Sequence, residues 1–246
     1  MRTYTTLLLV LGFALGSSTL RAQDDPSRPG YYRQWLRTQV QQWDQVVRVD
    51  LRETTNRKLD GPSGSQSVTL SADVTIYPRE GDLDRRVVAA ELNGRRVPDD
   101  RLEELTNRWS NFTRDLGQES TVFADLRQRM LQRTRPTGRP TLERRDGKDL
   151  YRVDLLSTVP RLRIDRMTLW FDAADGRLVR SRTIFRPRAQ RTSLIVENEY
   201  RRIAQLDVPV RRSIEATVQQ KRRLRHFTTI ISVQSLFEDL KIERVR

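Results

Sequence analysis

The sequence lacks cysteine and has a single histidine, His226, among 246 residues. Without cysteine the chain can form no disulfide and no thiolate metal site, and it has no acceptor for the lipid of a bacterial lipoprotein. One histidine cannot build a multi-histidine metal site, and no serine–histidine–aspartate or cysteine–histidine constellation is present. We therefore expect no cofactor and no metal, and a protein that is not an enzyme.

Long apolar runs are also scarce. The longest, Leu7 to Leu15, follows the positive Arg2 and precedes small residues and the tripeptide 20–22 (LRA). A run this short falls below the roughly 20 residues that a membrane span needs, whereas it suits the apolar region of a cleavable export signal. We expect a signal peptide over residues 1–22, a flexible leader over 23–30 and a single domain over 31–246. Export without any cysteine favours the bacterial periplasm.

Lysine is rare, since 42 of the 46 basic residues are arginine. Residues 1–132 carry 19 basic and 18 acidic side chains, whereas residues 133–246 carry 27 basic and 14 acidic ones. The positive excess therefore belongs to the C-terminal half and predicts one basic surface there. The candidate residues of this basic patch are Arg180, Arg182, Arg186, Arg211, Lys221, Arg222, Arg223 and Arg225.

Two interpretations of that patch stay open. It is either the solvated outer face of a sheet, with arginine favoured by base composition, or a docking surface for an anionic partner. Such a partner would be an anionic membrane surface or a periplasmic or outer-membrane protein. Nucleic acid is not expected, because no aromatic side chains alternate with the arginines to form a stacking platform.

Apolar and polar residues alternate from Leu206 to Gln219, and similar alternation recurs in at least five other segments. A period of two is typical of a strand with one buried face. Asn93-Gly94, Asp146-Gly147 and Asp175-Gly176 are hairpin turn signals between such segments. The pattern predicts nine to eleven antiparallel strands in a sheet that curls into an open barrel.

Helical spacing appears in two places. Apolar residues over 31–46, including Trp35 and Trp43, predict an amphipathic helix. A mid-chain helical pair is predicted after Pro98, with Trp109 and Phe112 on the apolar stripe of its first helix and Phe123 and Met130 in the second. The segment 132–141 (QRTRPTGRPT) is a candidate internal boundary. The predicted fold class is mainly β (α+β).

Three C-terminal segments carry a family resemblance: the strand-turn-strand segment 169–178 (LWFDAADGRL), the tetrapeptide 200–203 (YRRI), and the Val208-Pro209 step before Ile214. In this order they resemble the LolA/LolB-like family of outer-membrane lipoprotein-sorting carriers. The resemblance implies a large, curved, unclosed antiparallel sheet, a half-barrel whose concave face is covered by helices. It also implies an apolar cavity between sheet and helices that holds lipid or lipoprotein acyl chains.

The leading hypothesis is therefore a periplasmic binding protein for lipid or lipoprotein acyl chains, and the alternative is an interaction or regulatory module of the same fold that docks through its basic face. Arg212 is singled out because the alternation places it on the apolar face of its strand, where a charge must be paired. Either Arg212 holds a headgroup or a closing helix there, or a bulge turns its side chain outward. The tryptophans either face a ligand or pack as ordinary core. The candidate cavity residues are Trp35, Trp43, Trp109, Phe112, Leu194, Val196, Val208, Val210, Arg212, Ile214, Ala216 and Val218.

Overall fold

The computed structural model of the chain describes residues 25–62, 64–80, 82–105, 134–158, 164–187, 191–222 and 225–245. For residues 191, 220–222, 225 and 226 the description is limited to the backbone. The predicted signal peptide and the predicted mid-chain helices beyond residue 105, with Trp109 and Phe112, lie outside these ranges.

The described strands form one antiparallel sheet of twelve strands, ordered β4-β3-β2-β1-β12-β11-β10-β9-β8-β7-β5, with β6 also paired to β7. The sheet is not closed into a barrel, which confirms the predicted mainly β, open architecture. The strands are β1 Val46–Gly61, β2 Gly64–Tyr77, β3 Asp82–Leu92, β4 Arg95–Arg96, β5 Thr134–Pro136, β6 Thr141–Arg145, β7 Lys148–Ser157, β8 Ile164–Asp172, β9 Leu178–Phe185, β10 Arg191–Ile203, β11 Leu206–Arg222 and β12 Arg225–Arg244.

Most neighbours in the sheet are consecutive hairpin partners, as the turn signals predict. There are two exceptions. Strand β5 pairs with β7 rather than with β6, and the two ends of the chain are joined because β1 pairs with β12 from Val46 opposite Arg244 to Asp60 opposite Ile230. Strands from both halves therefore belong to one sheet. The candidate boundary segment is also part of it, since Thr134–Pro136 pairs with β7.

Helix α1, Tyr31–Asp44, packs on one face of this sheet through Tyr31, Tyr32, Trp35, Leu36, Gln39 and Trp43. Its first buried aromatics meet β8, where the ring of Phe171 lies 5.4 Å from Tyr31 and 5.1 Å from Trp35 in edge-on contacts. We call the face that α1 covers the inner face and the opposite one the outer face. A short 3-10 turn, Asp99–Arg101, leads into helical residues 102–105, where the sequence predicts a helix start.

Two tight turns occur where the sequence predicts them, and a third occurs where the sequence carries no turn signal. Asn93-Gly94 has φ values of 51° and 76°, and Asp146-Gly147 has 50° and 75°. These left-handed pairs match the twist of the strands that they join. Ala204-Gln205 adopts the same conformation, with φ values of 48° and 68°, and connects β10 to β11 without a glycine. This turn was not predicted.

Candidate ligand site on the inner face of the sheet

Buried apolar residues of the sheet and α1 form two clusters. The first cluster joins α1 to strands β7 to β12, and the second joins the end of α1 to β1, β2, β3, β11 and β12. The predicted cavity residues are divided between them. Trp35, Leu194, Val196, Ile214 and Ala216 belong to the first cluster, with Val218 packed against it, while Trp43 and Val208 belong to the second. Val210 is half-buried and in neither.

A β-bulge interrupts the alternation predicted for β11. Glu199 pairs with Arg211, but the next residue, Tyr200, pairs with Pro209, so Val210 is the extra residue. An extra residue reverses which side chains face each side of the strand. The alternation that the sequence predicts from Leu206 to Gln219 would place the polar residue Asp207, and Pro209 with it, on the solvated face. That prediction is wrong, because both residues are buried.

Asp207 is the polar centre of the contact between α1 and the sheet, and none of its surface is exposed. Its Oδ2 accepts hydrogen bonds from Trp35 Nε1 at 2.8 Å and from the Leu178 backbone N–H at 3.0 Å. Arg202 donates from Nε to Oδ1 at 2.9 Å and from Nη2 to Oδ2 at 3.1 Å. The backbone N–H of Asp207 donates to Gln39 Oε1 at 3.0 Å.

These bonds tie α1 to β9, β10 and β11 through one carboxylate. Burial acts to lower the pKa of Arg202, but the hydrogen bonds and charge of Asp207 outweigh it and raise that pKa above the ordinary value. We call Asp207, Trp35, Gln39 and Arg202 the helix latch. Sequence reasoning missed it because the bulge that aims Asp207 at α1 has no clear sequence signal.

A second polar feature, the polar belt, crosses the inner face between the two apolar clusters. Its members lie on strands β9, β10, β11, β12, β1 and β3, and their side chains are about one-tenth exposed or less. The strand pairings place Ser181 opposite Asn198, Asn198 opposite Arg212, Arg212 opposite Ser235, and Ser235 opposite Thr55. The polar belt comprises Ser181, Asn198, Arg212, Ser235, Thr55, Glu53 and Arg85.

Arg212 lies in the middle of this belt and is 3% exposed. Its Nε donates to Asn198 Oδ1 at 2.9 Å. The alternative in which a bulge turns Arg212 outward is wrong, because the bulge lies at Val210 and leaves Arg212 in phase with Ile214 and Ala216. Its predicted role at a ligand remains a prediction.

The other end of the belt contains an ion pair. Arg85 lies 2.7 Å from Glu53, and the two side chains are 10% and 8% exposed. Thr55 donates from its hydroxyl to Glu53 Oε1 at 2.9 Å and also lies 2.7 Å from the Ser235 hydroxyl. Because every one of these groups is buried, each contact offsets a desolvation cost.

Arginines of the predicted basic patch lie on the outer face, where acidic residues of β10 accompany them. Arg180 and Arg182 both pair with Glu197, and Arg211 lies 3.6 Å from Glu199. Arg186 is exposed. This pairing favours the interpretation as a solvated outer face. The side chains of Lys221, Arg222, Arg223 and Arg225 lie outside the described part of the chain.

Two clefts flank α1. One of about 220 Å³ lies beside the helix latch, between Gln34 and Thr38 of the helix and Arg202 and Gln205 of the sheet. Another of about 340 Å³ lies at the start of α1, beside Pro136 and Pro140. Tyr32 borders the second cleft, and burial raises the pKa of its phenol to about 12.

No family model matches the chain, and no curated protein matches it. Among solved structures it is similar to an outer-membrane lipoprotein-sorting protein domain from Vibrio parahaemolyticus, with 12% identity, TM-score 0.42, and coverage of 89% of this chain and 94% of that one. A DUF1329 family protein from Desulfovibrio piger has 14% identity, TM-score 0.39 and the same coverage. A LolA superfamily protein from Nitrosomonas europaea has 10% identity, TM-score 0.34, and coverage of 80% and 87%.

These structures include the class that the sequence resembles. Identities of 10–14% and TM-scores below 0.5 carry no conclusion about function. Within the described ranges, no helix combines the length and apolarity that a membrane crossing requires.

Proposed function

We propose that this protein is a non-enzymatic binding protein of the periplasm that holds acyl chains of a lipid or lipoprotein against the inner face of its sheet. The observation that carries the proposal is an extended apolar face on an open sheet, covered by a helix that is held by the helix latch and by hydrogen bonds from Tyr31 to Gly176 and between Tyr32 and Thr134. Residues such as Leu194, Val196, Ile214 and Ala216 offer aliphatic surface across neighbouring strands. Helix α1 would act as a movable cover over that surface.

Burial of an acyl chain would contribute free energy toward moving α1. Each buried methylene contributes about 0.8 kcal/mol, so about ten methylenes would contribute about 8 kcal/mol before the costs of association. Moving α1 would lose the contacts of Trp35 with Phe171 and with Asp207. It would also expose the other buried side chains of α1, so an acyl chain of this length offsets part of the loss.

Brominated fatty acid tests the proposal, because bromine quenches a tryptophan only when it is close to the ring. Variants that retain one tryptophan, with the other three changed to phenylalanine, separate the two faces of the sheet. Trp35 is buried on the inner face, whereas Trp170 lies among outer-face side chains, under Arg145 and Arg180 at 5.6 and 5.9 Å from its ring centre. We expect brominated stearate to quench the Trp35 variant and to leave the Trp170 variant unchanged.

Native mass spectrometry of protein purified from its own host supplies an independent readout. A retained mass equal to a lipid is expected. Equal quenching of both tryptophans, or no quenching together with a ligand-free mass, would overturn the proposed function.

A further inference from the structure

The polar belt is unexpected on a face whose purpose is apolar burial. A buried polar group costs free energy unless it is hydrogen-bonded, and a buried charge costs more. Valine or leucine at these positions would make the inner face continuous and avoid that cost. The belt instead divides it, since Ile214 and Val233 lie on one side, and Leu51 and Phe237 on the other.

The charges on this face are unequal. Among the described side chains of β1, β3, β10 and β11, alternation places two carboxylates on the inner face, and each lies beside an arginine: Glu53 beside Arg85 and Asp207 beside Arg202. The same face carries two further arginines, Arg57 and Arg212. Burial lowers the pKa of Arg57 to about 10, which still leaves this guanidinium charged at neutral pH. On these four strands the described inner-face side chains therefore comprise four arginines and two carboxylates.

We propose that the polar belt receives the anionic headgroup of a bound amphiphile, with Arg212 as its anchor, while the acyl chain lies on the apolar inner face. This inference rests on the proposed function and names its ligand class: a single-chain or multi-chain lipid with a carboxylate or phosphate. A guanidinium suits both groups, because its planar donors match their oxygens in pairs. Asn198 holds Nε of Arg212 and so fixes the plane of the guanidinium.

Paired ligands and paired variants test the anchor. Palmitate and hexadecyl phosphate carry the charge, hexadecanol carries the same chain without charge, and inorganic phosphate carries the charge without the chain. Arg212→Met removes the anchor at similar length. Its control is Arg211→Met, since Arg211 is the adjacent residue on the outer face and 62% exposed.

In the unchanged protein we expect palmitate and hexadecyl phosphate to bind at least about tenfold more tightly than hexadecanol, as one or two charge-assisted hydrogen bonds would give. Arg212→Met is expected to abolish that preference and leave hexadecanol binding in place, while Arg211→Met keeps the preference. Arg212→Lys retains the charge without the paired donors, and an intermediate preference is expected. Circular dichroism checks that each variant folds. If Arg212→Met fails to fold, the comparison of Arg212→Lys with the unchanged protein still tests the anchor.

The outcomes separate the two proposals. Binding of hexadecanol and the anionic ligands with equal affinity, or an unchanged preference in Arg212→Met, would overturn the headgroup site and leave the acyl-chain function standing. Binding of inorganic phosphate as tightly as hexadecyl phosphate would also overturn it, because a free-anion site needs no chain. Failure of every chain-bearing ligand to bind would overturn the proposed function itself.

Discussion

Replacing Asp207 with alanine is the sharpest single test of how α1 is held. The change removes four accepted hydrogen bonds, from Trp35, from the Leu178 backbone and twice from Arg202. Trp35 and Leu178 are buried at 5% and 1% exposure, so their N–H groups lose their acceptor away from water. Each buried donor left in this way costs about 1–3 kcal/mol.

Arg202 contributes less than the two buried donors to the free energy lost in Asp207→Ala. Its side chain is 34% exposed, so water solvates part of the guanidinium once the carboxylate is gone. The two buried donors set the expected loss for Asp207→Ala at about 3–5 kcal/mol of unfolding free energy, the range found when one partner of a buried ion pair is removed. Asp207→Asn keeps one acceptor oxygen, and we expect a loss of about 2 kcal/mol.

Urea unfolding followed by far-UV circular dichroism measures these losses without relying on the tryptophans. Arg211→Met serves as the control, and a change within about 0.5 kcal/mol is expected for this exposed residue. A double-mutant cycle with Trp35→Phe should give a coupling of about 1 kcal/mol between Trp35 and Asp207. A loss below about 1 kcal/mol in Asp207→Ala would refute the helix latch.

Three further predictions concern other parts of the fold. Gly94→Ala should lower the unfolding free energy by about 1–2 kcal/mol in the same urea assay, because φ is 76° at this position. An added Cβ meets no atom within 4 Å, so backbone strain alone causes the loss, and an unchanged stability would contradict the left-handed turn. Glu53→Gln should lower the unfolding free energy by about 3 kcal/mol, since it leaves Arg85 buried without its counter-charge. Equal stability of the variant would show that this ion pair does not stabilise the fold. The pKa of Tyr32 is raised to about 12, so the folded state holds the phenol proton more tightly than the unfolded chain does. The unfolding free energy should therefore fall between about pH 10 and pH 12, and Tyr32→Phe should lessen that fall.

Regular alternation made most of the sheet predictable. The backbone conformation of the Asn93-Gly94 and Asp146-Gly147 turns could be predicted from their residue types, because asparagine, aspartate and glycine tolerate positive φ. The helix at 31–46 was likewise predicted, and it ends two residues earlier, at Asp44. In these elements, local sequence and tertiary contacts favour the same structure.

The features that sequence reasoning missed depend on contacts distant along the chain. The pairing of β1 with β12 joins residues about 180 positions apart, such as Thr55 and Ser235, and no local pattern encodes it. Ala204-Gln205 adopts a left-handed turn because the strands on either side fix it. The alternation of Leu206–Gln219 predicted the inner face correctly from Arg212 onward. Before Arg212 the burial does not alternate, because residues 206–209 are all buried and Val210 adds a residue.

That one extra residue links the two polar features of the inner face. Residues 207 and 212 are five apart, so in a regular strand they would point to opposite faces. The bulge at Val210 reverses the alternation between them, so that Asp207 reaches Trp35 of α1 while Arg212 reaches Asn198 in the polar belt. Bulges are typical of sites where a strand must redirect a side chain. A single strand thus carries both the group that holds the covering helix and the group that we infer holds the ligand, and any movement of β11 that accommodates a headgroup at Arg212 would act directly on the attachment of α1.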